Sequence, residues 1–253
     1  MSHETLPVVP RWWSLDLSTV TLIVANLVPI IGVLLFGWDA GIILLVYWSE
    51  NLVVGGYNIL KMVFAQGGFG TNPVSKLFAI PFFAVHFGGF CAVHGVFVYM
   101  MAQGMDQVPD IDIFPKAGQW WGPLVFLQLL LNVISGIWSQ VGDDMFWPVV
   151  SLVFSHGVSF VQNYLLRGEF RKTTVAQLMI APYGRIAVMH ISIIVAAFPV
   201  MALGSPLPLL VLLILAKTLL DTYFHNRGHR SFVLLPPHHD LASYFPHGNV
   251  VDE

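Results

Sequence analysis

The sequence predicts an all-α fold, a polytopic bundle of about seven transmembrane helices. Three observations carry this. The chain is 56% hydrophobic and only 10% charged, whereas a soluble domain carries about 25% charged residues. Its mean hydropathy is +0.74. The charge deficit runs along all 253 residues, which excludes a soluble domain with one anchor.

A span needs roughly 20 mostly apolar residues. The first candidate runs from about Leu17 to Phe36, the second from Ala40 to Phe64, and the third from Lys76 to Met101. The fourth covers about Trp121 to Ser139 and the fifth Phe146 to Leu166. The sixth covers about Tyr183 to Met201 and the seventh Leu207 to Phe224. The breaks carry turn chemistry: Phe36-Gly37-Trp38-Asp39, Gly67-Gly68, Asn72-Pro73, Gly142-Asp143-Asp144 and Gly204-Ser205-Pro206. The bundle is expected over residues 1–225, and a polar tail over 226–253 holds Pro236 and Pro237. The opening MSHETLPVVPRWW lacks the basic start and apolar core of a signal peptide. Trp12 and Trp13 read as an interfacial anchor.

A net charge of −3 gives no basis for a nucleic-acid partner. Cys91 is the single cysteine, so no intramolecular disulfide forms, and it reads as a packing residue. The nine methionines are dispersed and suit packing rather than copper ligation. The expected surroundings are a lipid bilayer, in a bacterial plasma membrane, and a homo-oligomer is compatible with the chain. Seven spans put the two ends on opposite sides. Arg11, Lys61 and Lys76 then share the N-terminal side; Lys116, Arg167, Arg171, Lys172, Arg185, Arg227 and Arg230 share the other. Positive residues favour the cytoplasm, so this count places the N-terminus outside and the C-terminus inside.

Ionisable residues within the apolar runs are the main clue to function. Glu50, His86, His94, His156, His190 and Asp221 lie in candidate spans, and His225 and His229 follow at the end of the last. Such groups are costly in hydrocarbon, so they face a bundle interior and mark function. Histidine with carboxylate is also a ligand set for zinc, iron or manganese. With a rise of about 1.5 Å per residue, His94, His190, Asp221 and His225 fall in the half nearer the C-terminal side. Glu50 and His156 lie near mid-span. His86 is about 12 Å from His94 along the helix, so one mononuclear site does not easily use both. Either His86 forms a second layer with Glu50 and His156, or one histidine of the two binds metal.

Lys217-x3-Asp221-x3-His225-x3-His229 places four polar groups on one helix face. Asp221 and His225 suit chelation of one ion; a Lys217–Asp221 pair that orients the helix is the alternative. Trp48-Ser49-Glu50-Asn51 offers a ligand, general base or relay group, or else a protonated glutamic acid bonded to a neighbouring helix. Small residues flank the histidines in His86-Phe87-Gly88-Gly89, His94-Gly95 and His156-Gly157; they permit close packing or leave room for a ligand. His3, His238, His239 and His247 lie in polar termini and read as surface residues.

The leading expectation is a membrane metalloprotein with metal ligands among His86, His94, His190, Asp221 and His225 and catalytic Glu50 and His156. Zinc, which lowers the pKa of bound water to about 7, suits hydrolysis of a lipidic substrate; iron or copper suits di-metal oxidation. A proton- or metal-coupled transporter with the same residues as a relay is the second expectation, and a haem-binding electron carrier the third.

Tyr47-Trp48-Ser49-Glu50-Asn51, His86-Phe87-Gly88-Gly89-Phe90 with His94, and Lys217-x3-Asp221-x3-His225 resemble the runs of an uncharacterised family of bacterial integral-membrane proteins. The resemblance covers most of the chain and implies a histidine-rich core. More distantly, His225-x3-His229 is similar to the last-helix pair of the seven-helix hydrolases that include alkaline ceramidases, hemolysin III proteins and adiponectin-type receptors. That likeness implies zinc, with His86 or His94 as the early ligand. The early serine motif of that group has no clear counterpart here.

Overall fold

The computed structural model describes residues 17–68, 72–103, 114–116 and 118–219, with side chains from residue 27 onward. Every extended element among the described residues is a helix. They are α1 (Leu17–Phe36), α2 (Ala40–Phe64), α3 (Pro73–Ala102), α4 (Val125–Ser159, continued by a π-helical turn, Phe160–Leu166), α5 (Val175–Ile180), α6 (Tyr183–Leu203) and α7 (Leu207–Leu219). The chain divides into two units. Leu27–Ala216 forms the helical body; the other comprises Met1–Asn26 and Lys217–Glu253, of which only helical backbone at 17–26 and residues 217–219 are described.

Helix ends follow local chemistry. Asp39 caps α2 by accepting from the Ile42 amide at 2.9 Å, and Asn72 caps α3 by accepting from the Ser75 amide at 2.7 Å, with Pro73 in the first turn. Thr174 and Gln177 form a capping box on α5. Gly204, at φ 56°, ends α6 in the left-handed conformation, with Pro206 two residues on. At the C-terminus of α2, Lys76 Nζ donates to the carbonyls of Val63 and Ala65, each at 2.7 Å. A cation there also complements the helix dipole.

Side-chain contacts give the helix directions. At one end of the body, Asp39, Gly41, Ala102, Gln103, Val141 and Asp144 line one cavity. Gly204, Ser205 and Leu207 share another with Val33 and Asp39. At the opposite end Tyr164 Oη donates to the Lys61 carbonyl at 2.7 Å. The Gln66 amide donates to Phe170 O at 2.7 Å and the Gly67 amide to Thr173 O at 3.1 Å. Hence α2 runs from the Asp39 end to the Lys61 end, α3 and α6 run back, and α7 sets out from the Asp39 end.

The α4 region corrects the expected span pattern. Gly122–Leu166 is one helical segment of 45 residues, about 67 Å if straight and twice the roughly 30 Å hydrocarbon thickness. It is not straight: Val141 departs from helical geometry at φ −132°, ψ 16°. Before Val141, Phe126 packs on Gly89 and Leu130 on Gly88, near the middle of α3. After it, Tyr57 Oη donates to Val153 O at 2.8 Å and Tyr164 reaches Lys61. The two arms therefore run in opposite directions. The first starts beside mid-α3 rather than at a bundle end. Four segments are long and apolar enough to cross a membrane: Ala40–Phe64, Pro73–Ala102, Gly122–Leu166 and Val175–Leu203. Large apolar side chains such as Phe82, Phe154 and Phe198 face outward, as hydrocarbon contact requires.

Two apolar clusters fill the interior. The one toward the Asp39 end includes Leu44, Trp48, Met101, Ile137 and Ile193. The other, toward the Lys61 end, includes Met62, Phe83, Phe87 and Leu178. Trp48 is 2% exposed, donates from Nε1 to Cys91 O at 2.9 Å and covers Gly95. Most glycines beside the histidines thus serve packing: Gly95 receives Trp48, Gly89 receives Phe126, and Gly157 lies under the Tyr57 hydroxyl.

Candidate functional site

Two clusters bring together described ionisable residues of different helices. In the first, α3 and α6 run in the same direction, and His94 on α3 meets His190 on α6. His94 Nε2 lies 3.1 Å from His190 Nδ1. His94 Nδ1 lies 2.6 Å from the Phe90 carbonyl. A carbonyl only accepts, so His94 Nδ1 carries a proton and its Nε2 presents a lone pair toward His190. His94 is 3% exposed, while His190 is exposed.

Both rings border a groove of about 640 Å³ lined by Phe90, Val93, Phe97, Phe126, Ile194 and Ala197 among others. Its lining also includes His86, which keeps separate company. His86 Nδ1 lies 2.6 Å from Tyr183 Oη. Its ring stacks on Phe82 at 5.2 Å and meets Phe90 edge-on at 5.1 Å.

The second cluster ties α2, α4 and α6 together. Glu50, 8% exposed, is held by Arg185, whose Nη2 is 2.6 Å from Oε1. His156 Nε2 approaches the same oxygen at 3.7 Å, and its ring stacks on Tyr57 at 6.4 Å. The mid-span carboxylate therefore has a permanent cation beside it.

The structure brings together two of the expected pairs, His94 with His190 and Glu50 with His156. It bonds His86 to Tyr183. Asp221, His225 and His229 lie outside the described residues. Among the described residues no group of three or more His, Cys, Asp and Glu side chains comes together. Arg185, Tyr57 and Tyr183 were missed as site residues. Arg185 counted only as a flanking charge, because nothing local marks a first-turn arginine as the partner of a glutamate 135 positions earlier. Asn58 on α2 braces α5: its Nδ2 donates to Leu178 O at 2.7 Å.

Among the described residues the body is all-helical, with polar clusters in its interior and four segments long and apolar enough to cross a membrane, the construction of a helical membrane protein. A family model described as a family of unknown function, DUF6498, matches residues 11–233, and the chain belongs to that family. No curated protein and no solved structure matches it.

Proposed function

We propose that the protein is an integral membrane metalloprotein. It binds a divalent ion, zinc by preference, at His94 and His190 and acts on a membrane-soluble substrate in the α3–α6 groove. The observation that carries this reading is the 3.1 Å approach of His94 Nε2 and His190 Nδ1 at the groove wall. Two nitrogens sharing a tetrahedral zinc, each about 2.0–2.1 Å from it, stand about 3.4 Å apart. Donation of the other nitrogen of His94 to a backbone carbonyl is how metal-bound imidazoles are oriented. Further donors would come from water or from substrate. A bound zinc would supply an activated water and polarise a carbonyl; the groove would hold an apolar substrate against it.

Elemental analysis of the detergent-purified protein tests this. Near-stoichiometric zinc that falls away in both His94→Ala and His190→Ala supports it. Zinc retained in both variants, or none in protein never exposed to chelator, refutes it.

A second reading has its own observation. Glu50, Arg185 and His156 join three candidate spans, which supports a proton or ion relay through the core. It predicts pH-dependent flux in liposomes that Glu50→Gln abolishes while metal content persists.

The membrane crossings in this reading include α2, α3, the second arm of α4 and α6. The first arm of α4 is a partial insertion. Its buried Gln128 supports that assignment: it accepts from the Trp121 amide at 3.0 Å and donates to Gln119 O at 2.7 Å. Non-helical backbone at membrane depth needs partners of this kind.

A further inference from the structure

We infer that the Lys61 end of the body is its cytoplasmic face and that its exposed cations seat on the headgroups of anionic phospholipids. The argument starts from which loops the structure pairs. The turn after α2 and the turn after α4 are knotted together by Gln66 N to Phe170 O and Gly67 N to Thr173 O. A Cβ at Gly67 would fall 2.2 Å from the backbone of Lys172, so the two turns are in direct contact. This joins charges that a seven-span count puts on opposite sides of the membrane. Lys61, Lys76, Arg167, Arg171 and Lys172 all lie at one end, with Glu169 as the acid among them. At the other end the described residues supply Asp39, Asp143 and Asp144, and the loop that leaves α3 there carries Lys116.

The roles of these cations differ. Lys76 is bound to the end of α2, and Lys61 lies 5.5 Å over the Tyr164 ring. Arg167, Arg171 and Lys172 are exposed. Leu166, next to Arg167 in the chain, is an apolar side chain exposed by 77%. Cations next to an outward apolar belt are placed at the depth of headgroups, and an anionic leaflet attracts them over about a Debye length. The inside-positive bias of membrane proteins points the same way.

The full-length chain tests both parts. Single cysteines are placed at Asp143 and at Lys172 in a Cys91→Ala background and treated with a membrane-impermeant maleimide. Asp143→Cys should label in intact cells, and Lys172→Cys only after permeabilisation. The reverse pattern overturns the inference. Wild-type protein gives an independent check, because trypsin should cut at Arg171 or Lys172 in inverted vesicles but not in intact cells; the opposite result overturns it as well. For the headgroups, wild type and an R167Q/R171Q/K172Q variant are taken from phosphatidylglycerol and from phosphatidylcholine vesicles, and retained lipid is measured by native mass spectrometry. Each charge removed should weaken phosphatidylglycerol retention about fivefold, with phosphatidylcholine unchanged. Equal retention by wild type and variant overturns the headgroup assignment.

Discussion

Gly95→Ala should destabilise the protein and disturb the His94–His190 pair together. A Cβ at Gly95 would fall 2.6 Å from Trp48 Cζ2 and 2.9 Å from Nε1, so the indole must move. Trp48 is 2% exposed and tethered through Nε1 to Cys91 O, leaving it little freedom. Overpacking costs about 1–3 kcal/mol, and a strained indole hydrogen bond about 0.5–1.5 more. Alanine's better helix propensity returns about 1 kcal/mol. The net loss is about 2 kcal/mol, or roughly 4–8 °C in midpoint for a chain of this size. Thermal unfolding in detergent, followed by tryptophan fluorescence, reads it. Gly56→Ala is the control, because its Cβ would meet nothing within 4 Å; it should be neutral or slightly stabilising. In a Trp48→Phe background the Gly95→Ala loss should shrink, since a phenyl ring leaves room that the indole does not. Two results would refute the packing argument: a Gly95→Ala midpoint within about 1 °C of wild type, or a full loss that persists in the Trp48→Phe background. Since Gly95 adjoins His94, bound metal should fall in the same variant.

Three further outcomes are expected. Lys76→Met removes two hydrogen bonds from the end of α2 and should cost about 1–2 kcal/mol by the same thermal assay; an unchanged midpoint would mean that water caps α2 equally well. A double-mutant cycle on Glu50→Gln and Arg185→Gln should show coupling of about 1–3 kcal/mol. That lies between the values for exposed and buried pairs, because the Arg185 side chain is 40% exposed and that of Glu50 11%. Additive effects would show that the pair contributes nothing. Tyr183→Phe removes the hydroxyl on His86 and should leave zinc content unchanged; loss of zinc would place His86 inside the metal site.

The sequence alone determined that the chain is helical and carries apolar runs long enough to cross a membrane. Apolar run length and charge deficit are local properties, and helices in hydrocarbon satisfy their own backbone, so these features need no knowledge of neighbours. The bounds of α2 (Ala40–Phe64) and the breaks at Asp39 and at Asn72-Pro73 were legible for the same reason. Glu50 and His156 lie near mid-span whichever way their helices run, so their shared level was legible. His94 and His190 were placed at one level by antiparallel third and sixth spans; α3 and α6 in fact run the same way, and the pair meets because α6 starts beside mid-α3, with Tyr183 against His86. Rotation about each helix and the direction of each arm are not local. Only tertiary packing decided that Arg185 reaches Glu50, that His86 turns to Tyr183, and that Gly95 serves Trp48. Only packing showed that α4 reverses at Val141 after starting beside mid-α3. That one reversal carries the Arg167–Lys172 turn back to the Lys61 end, a pairing between residues about a hundred positions apart. Hydrophobicity along the chain holds no record of it, because either arrangement buries the same apolar faces.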